Sequence, residues 1–202
     1  MARRAAAAHA SCGLVFALVV LGLTGCHKQE QTPAQKAVAT KAEAAVGTAR
    51  NVSDTIGSAS EFRKFTKLVK FAGLEKAFGG VGNYTVFAPT DAAMAKLPAE
   101  LTKTLESKEG RPQLLAMLRQ HIVTGHITPA DLERALAKNG GAVSVATMGG
   151  SPIRLHRQGT IILLGAGDGG PKIAGPSIAA RNGQVYPIDQ VLQPPTKAGD
   201  AR

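Results

Sequence analysis

Five histidines, two cysteines and a scatter of acids are the whole supply of general-base, nucleophilic and metal-ligating side chains in this 202-residue chain. A catalytic site needs a nucleophile, a base to take its proton and donors for the developing charge, all brought together. His9, His27, His121, His126 and His156 stand apart, and no Gly-x-Ser-x-Gly elbow, His-Glu-x-x-His pair or phosphate loop occurs. The glycines of "GAGDGG" (Gly165 to Gly170) are not followed by Lys-Ser/Thr and a helix, so they read as a loop between strands. Asp168 in that loop supplies one carboxylate where a calcium ion takes six or more oxygens. His121 shares an apolar helical face with Leu118 and Ile122, which reads as a buried imidazole bonded to backbone; His126 and His156 read as surface residues. The expectation is a protein that is not an enzyme, with no metal or cofactor site.

The cysteines carry a different chemistry. Arg3 and Arg4 precede a short apolar run, "GLVFALVVLGL" (Gly13 to Leu23), well below the ~20 apolar residues a spanning helix needs. The run ends in "LTGC" (Leu23 to Cys26), which resembles the lipobox of bacterial lipoproteins. That resemblance implies a signal peptide over residues 1–25, cleavage before Cys26 and a diacylglyceryl group on its thiol. Cys12 leaves with the signal peptide, so the folded part has no thiol for a disulfide or metal. Several acyl chains on one residue would hold the protein firmly, since a single chain binds only marginally. His27 follows the cysteine where an aspartate would suggest inner-membrane retention, so resemblance to enterobacterial sorting implies an outer-membrane destination, on the periplasmic or surface face.

Composition narrows the partners. The formal charge is +10, yet Lys and Arg are spread along the chain with no five-residue basic cluster, which argues against nucleic acid and for anionic lipid or glycan nearby. Aromatic residues make up 4% and Trp is absent, so an aromatic-lined sugar or base-stacking groove is not expected.

The elements follow from period and punctuation. Residues 26–50 are polar and alanine-rich and read as a tether, helical part of the time over Ala34 to Val46. Phe62, Phe65, Val69 and Ala72 recur at helical spacing, with Arg63, Lys64, Lys67 and Lys70 largely on the other side. Tyr84 to Ala88 is β-prone; Pro89 blocks further pairing; Thr90 or Asp91 caps a short helix over Ala92 to Leu97. A second amphipathic helix runs from Pro112 to Ile122. Thr128, Pro129 and Asp131 open a third that runs to about Lys138. From Gly141 the period drops to two, giving "AVSVATM", "PIRLHR", "TIILL" and, after Asn182-Gly183, "QVYPIDQVL". Helices first and strands second is an α+β order. The residues from 196 to 202 read as a disordered tail.

Three stretches together carry a resemblance. "YTVFAPTDAAMAKLP" (Tyr84 to Pro98), "LLAMLRQHIVTGHIT" (Leu114 to Thr128) and "NGQVYPIDQVLQP" (Asn182 to Pro194) are similar to the conserved blocks of fasciclin domains, in the same order. The resemblance covers residues 51–195 and implies one fasciclin-like β-wedge of about seven strands with helices packed at one side. Phe87, Pro89, Thr90, Asp91, His121, Ile188 and Asp189 are the block residues, read as holding the architecture. The chain departs from the family at Gln120, where a tyrosine often precedes the histidine, and at Tyr186, where a histidine often stands. Ser177-Ile178 stands where animal relatives carry an Asp-Ile pair linked to integrin binding, so that motif does not transfer.

The family's adhesion role implies a membrane-anchored binding module for an envelope protein or polysaccharide. Arg154, Arg157 and Lys172 are a candidate binding surface, with a solvated strand face as the plainer reading. The alternative is a carrier or sensor of a small apolar ligand held between helices and sheet; an apolar pocket of several hundred cubic ångströms would favour it.

Overall fold

The apolar run "TVFAP" is too continuous for a strand with one wet face. In the computed structural model, which describes residues 50–193 apart from 81 and 166, it forms β1 (Tyr84–Pro89), buried on both faces. β1 pairs in parallel with β7 (Gly183–Ile188) and antiparallel with β2 (Ile122–Thr124), while β6 (Ile178–Ala180) joins β7 from outside. The sheet order is β2-β1-β7-β6. Alternation along β1 and β7 divides the interior. Val86, Ala88 and Val185 enter one core; Phe87, Tyr186 and Ile188 enter another. Phe87 and Tyr186 are register partners whose rings stack at 5.5 Å.

Helices close the first core. These are α1 (Val52–Ser58), a 3₁₀ turn at Ser60–Phe62, α2 (Arg63–Ala72), α3 (Glu75–Phe78), α4 (Asp91–Met94), α5 (Ala99–Leu105) and α6 (Arg111–Gln120). α2 buries Phe65, Leu68, Val69 and Ala72 and stops at Gly73, whose left-handed φ of 76° returns its N–H to the Lys70 and Val69 carbonyls. α6 adds Leu114, Met117 and Leu118 to the same core.

The second core lies between the central sheet and an antiparallel sheet of β3 (Ala142–Ala146), β4 (Pro152–Gln158) and β5 (Ile161–Leu164), ordered β3-β4-β5. α7 (Pro129–Lys138) adds Leu132 and Leu136. Isolated bridges, Val123 to Thr147 on one side and Leu163 to Lys172 and Ile173 to Ile188 on the other, stitch the sheets into a wedge. This is the expected α+β architecture with seven strands, and the described residues fall in one compact unit.

Several boundaries differ from expectation. β1 runs one residue further, through Pro89, which is paired in register with Ile188. Phe87 donates its N–H to the His121 carbonyl on the β2 side, so the donor Pro89 lacks would point that way too, past the end of β2 where no ladder remains. The short helix after it stops at Met94, and the chain turns before Pro98. α6 ends at Gln120, so Ile122 opens a strand instead of closing a helix. The chain does not pass from helices to strands: β1 and β2 lie among the helices, and β7 comes back to pair with β1. Residues 1–25, the tether up to residue 49 with Cys26, and the tail from 196 lie outside the described residues. Among the described residues no helix is long and apolar enough to cross a membrane.

Candidate functional site

The sequence offers Thr90 or Asp91 as the cap of the short helix after Pro89; the structure gives that task to Thr90 and a different one to Asp91. The Thr90 side chain accepts from the Ala93 N–H (3.2 Å) and caps its own short helix α4. Asp91 reaches across instead, accepting the Lys64 N–H on Oδ1 at 2.8 Å. α2 starts after Phe62, which has no capping side chain, so Asp91 caps that helix from a distant part of the chain. Arg63, 3.8 Å from Asp91, adds an exposed ion pair.

His121 is fully buried directly after α6, against the Phe65 ring at 5.8 Å. The Met117 carbonyl, 2.8 Å from Nδ1, can only accept, and the Leu192 N–H, 3.0 Å from Nε2, can only donate. The imidazole is therefore neutral with its proton on Nδ1. Burial pushes its pKa from 6.5 down to about 4, with the Met117 hydrogen bond opposing the shift. Both nitrogens are occupied, so no lone pair is left for a base or a metal ligand.

Ile188 is buried in the second core, and its carbonyl accepts the Thr90 N–H. Asp189 holds the segment that links the sheets: its Oδ1 accepts the Lys172 N–H at 2.9 Å, and its own N–H donates to the Lys172 carbonyl. Tyr186 donates its hydroxyl proton to the Ile127 carbonyl at 2.9 Å, and burial raises its pKa to about 12. Thr90, Asp91 and His121 do not converge on a shared cavity; each partner is backbone or a neighbouring side chain.

The proposed basic surface is not one patch. Arg157 pairs with Glu133 of α7, and Lys172 lies 3.8 Å from Asp189. Arg154 is three residues from Arg157 along β4 and so points to the opposite face of the strand, into a shallow cleft of about 370 Å³ with Gln120, Ser151 and Gln193. His156 also departs from expectation: its side chain is only 17% exposed, with Nδ1 buried and unpartnered and Nε2 4.0 Å from Asp168. His126 is exposed and meets Gln184 at 3.3 Å.

Two features were not anticipated from the sequence. Asn182, read there as a turn residue, is buried. Its Oδ1 accepts the Val52 N–H at 2.8 Å, and its Nδ2 donates to the carbonyls of Phe78 and Gly80. One amide thus ties α1 and α3 to the last hairpin. The second is a cleft of about 530 Å³ between α2 and the α4–α5 segment, with Leu68, Met94 and Leu105 at its base and Lys64, Lys67 and Lys103 around it. It lies among helices, not between helices and sheet, where the alternative reading places an apolar ligand.

Comparison with known proteins agrees with this geometry. The family model described as "Fasciclin domain" matches residues 60–194. Protein sll1483 of Synechocystis sp. is 28% identical over 87% of this chain and 90% of its own length. The immunogenic protein MPT70 of Mycobacterium tuberculosis is 32% identical over 56% of this chain and 51% of its own length. The solved FAS1 domain pair from the insect cell adhesion molecule Fasciclin I superposes with a TM-score of 0.63 at 19% identity, covering 72% of this chain and 51% of that one.

Proposed function

The chain belongs to the fasciclin domain family, and from that premise we propose that it is a non-catalytic binding module, tethered outside the cytoplasm by a lipid on Cys26, that engages a protein or polysaccharide of the bacterial envelope. The observation that carries this reading is the fate of the signature residues. Thr90, Asp91 and His121 are each consumed by backbone partners, so the block that identifies the family builds the scaffold and leaves recognition to the outer faces. The likeness to a domain pair of an insect cell adhesion molecule supports recognition as the task. The four-residue "LTGC" match and the polar segment behind it support a domain held off a membrane.

Three measurements test the reading. Cys26→Ser behind a signal segment that is cleaved without a lipobox should move the protein from membrane to soluble fractions, and unchanged membrane retention would overturn the lipid anchor. The soluble Cys26→Ser variant begun at residue 26, used as bait on detergent-solubilised envelope, should retain a specific protein or polysaccharide. Turnover of a substrate abolished by His121→Gln in a folded variant would overturn the non-catalytic reading.

A further inference from the structure

The cleft between α2 and the α4–α5 segment has a composition that selects its occupant. We propose that it binds a long-chain carboxylate, with the alkyl chain on the apolar floor and the carboxylate among the lysines at the rim. This goes beyond the adhesion reading and does not depend on it.

The hollow exists because Ala95, Ala99 and Thr102 form part of its wall, where larger side chains would have filled the gap between the helices. Leu68, Met94 and Leu105 at its base are buried, and Leu97 is half-buried. Its volume of about 530 Å³ falls inside the ~300–1,000 Å³ typical of small-molecule sites. The rim sets the sign of the ligand. Lys64 and Lys67 stand one helical turn apart on α2, Lys103 lies on α5, and Glu106 is the single acid among the lining residues.

Two of the three lysines already have partners, Lys67 with Glu106 (2.9 Å) and Lys103 with Glu100 (3.0 Å). Both pairs are solvent-exposed, and such pairs hold weakly, so an incoming carboxylate can join or displace them. Lys64 has no ion pair among the described residues. Lysine stems extend the apolar wall up to the charged heads, matching an alkyl chain that ends in a single anionic group. Among the described residues no arginine lines the cleft to grip a phosphate in a two-pronged fork, and a cationic amphiphile would meet like charge.

The test uses the chain from residue 26 carrying Cys26→Ser and made without the apolar run of residues 13–23, so that no acyl group of its own and no detergent competes. Calorimetric titration with octanoate, decanoate and dodecanoate, each below its micellar concentration, should show one site per chain. Affinity should rise about fourfold per added methylene until the floor is covered. Dodecanol should bind more weakly than dodecanoate. Lys64→Gln with Lys67→Gln should weaken dodecanoate about tenfold and leave dodecanol unchanged. Ala99→Trp, a substitution at an exposed wall position, should abolish both while thermal unfolding shows an intact domain. Absence of saturable dodecanoate binding, equal affinity for acid and alcohol, or indifference to Ala99→Trp would each overturn the proposal.

Discussion

Asp91 stabilises a helix to which it does not belong. Its carboxylate takes the Lys64 N–H that α2 leaves without a local partner, so Asp91→Ala should cost about 1 kcal/mol, the usual loss for an N-cap. Asp91→Asn keeps an acceptor and should lose less; chemical denaturation of the two variants separates hydrogen bonding from charge. His121 carries the clearest pH signature. Its folded pKa is about 4 against 6.5 for an exposed imidazole, so the unfolded chain takes up a proton between those values that the folded protein refuses. The associated stability is fully present above pH ~6.5 and is lost as pH falls toward ~4, amounting to roughly 3 kcal/mol. His121→Gln should lower stability at neutral pH, because the Met117 carbonyl and Leu192 N–H lose their fitted partner. It should also flatten the fall in stability over that window, as urea denaturation at pH 7 and pH ~4.5 would show. The burial of His121 was legible because Leu118 and Ile122 on either side of it are apolar and local, although His121 follows α6 and Ile122 opens β2. The target of Asp91 was not, since nothing near residue 91 says that residue 64 needs an acceptor.

Elements were legible in proportion to how local their determinants are. α7 matches its sequence signature: the Thr128 side chain accepts the Asp131 N–H, the Asp131 carboxylate accepts back from Thr128, and Pro129 fills the first turn. Asn182-Gly183 was legible as a turn into the last strand, but the two-residue loop is Arg181-Asn182, and Gly183, in β7, already pairs with Ala180. The demand on both Asn182 and Gly183 is tertiary. Gly183 lies opposite Tyr84 in the parallel ladder, and a Cβ there would sit 1.8 Å from the Tyr84 carbonyl oxygen and 2.9 Å from Val52. The clash is with backbone in the centre of the sheet, so no rotamer relieves it. Gly183→Ala should destabilise by several kcal/mol, at the far end of single-substitution effects, and thermal unfolding measures it directly. The partnership of β1 with β7 could not be read from period-two alternation, which says which residues share a face and is silent about which strand lies alongside.

At the scale of the molecule, the central sheet is made from opposite ends of the folded region, with β1 near its start and β7 near its end. Such a sheet cannot close until the last strand is available, because β1 would otherwise have only the three-residue β2 beside it. The fold class was legible because block order and turn signals survive in the sequence. The lysine-rimmed cleft was not, since its two walls meet only after α2 and α5 have packed on the same core. Together the two cores draw their described members from Val52 to Leu192, which makes the boundaries of the folding unit testable from each side. A chain ended at Arg181 lacks β7 and with it Val185, Tyr186 and Ile188, one strand's contribution to both cores. It should show no cooperative thermal transition and should lose its dispersed amide spectrum. A chain begun at Arg50 keeps every described core residue and Asn51, the cap of α1, and should unfold within a few degrees of the Cys26→Ser chain begun at residue 26. Cooperative unfolding of the first, or a large loss of thermal stability in the second, would mean that the unit is not closed by β7 or does not begin at α1.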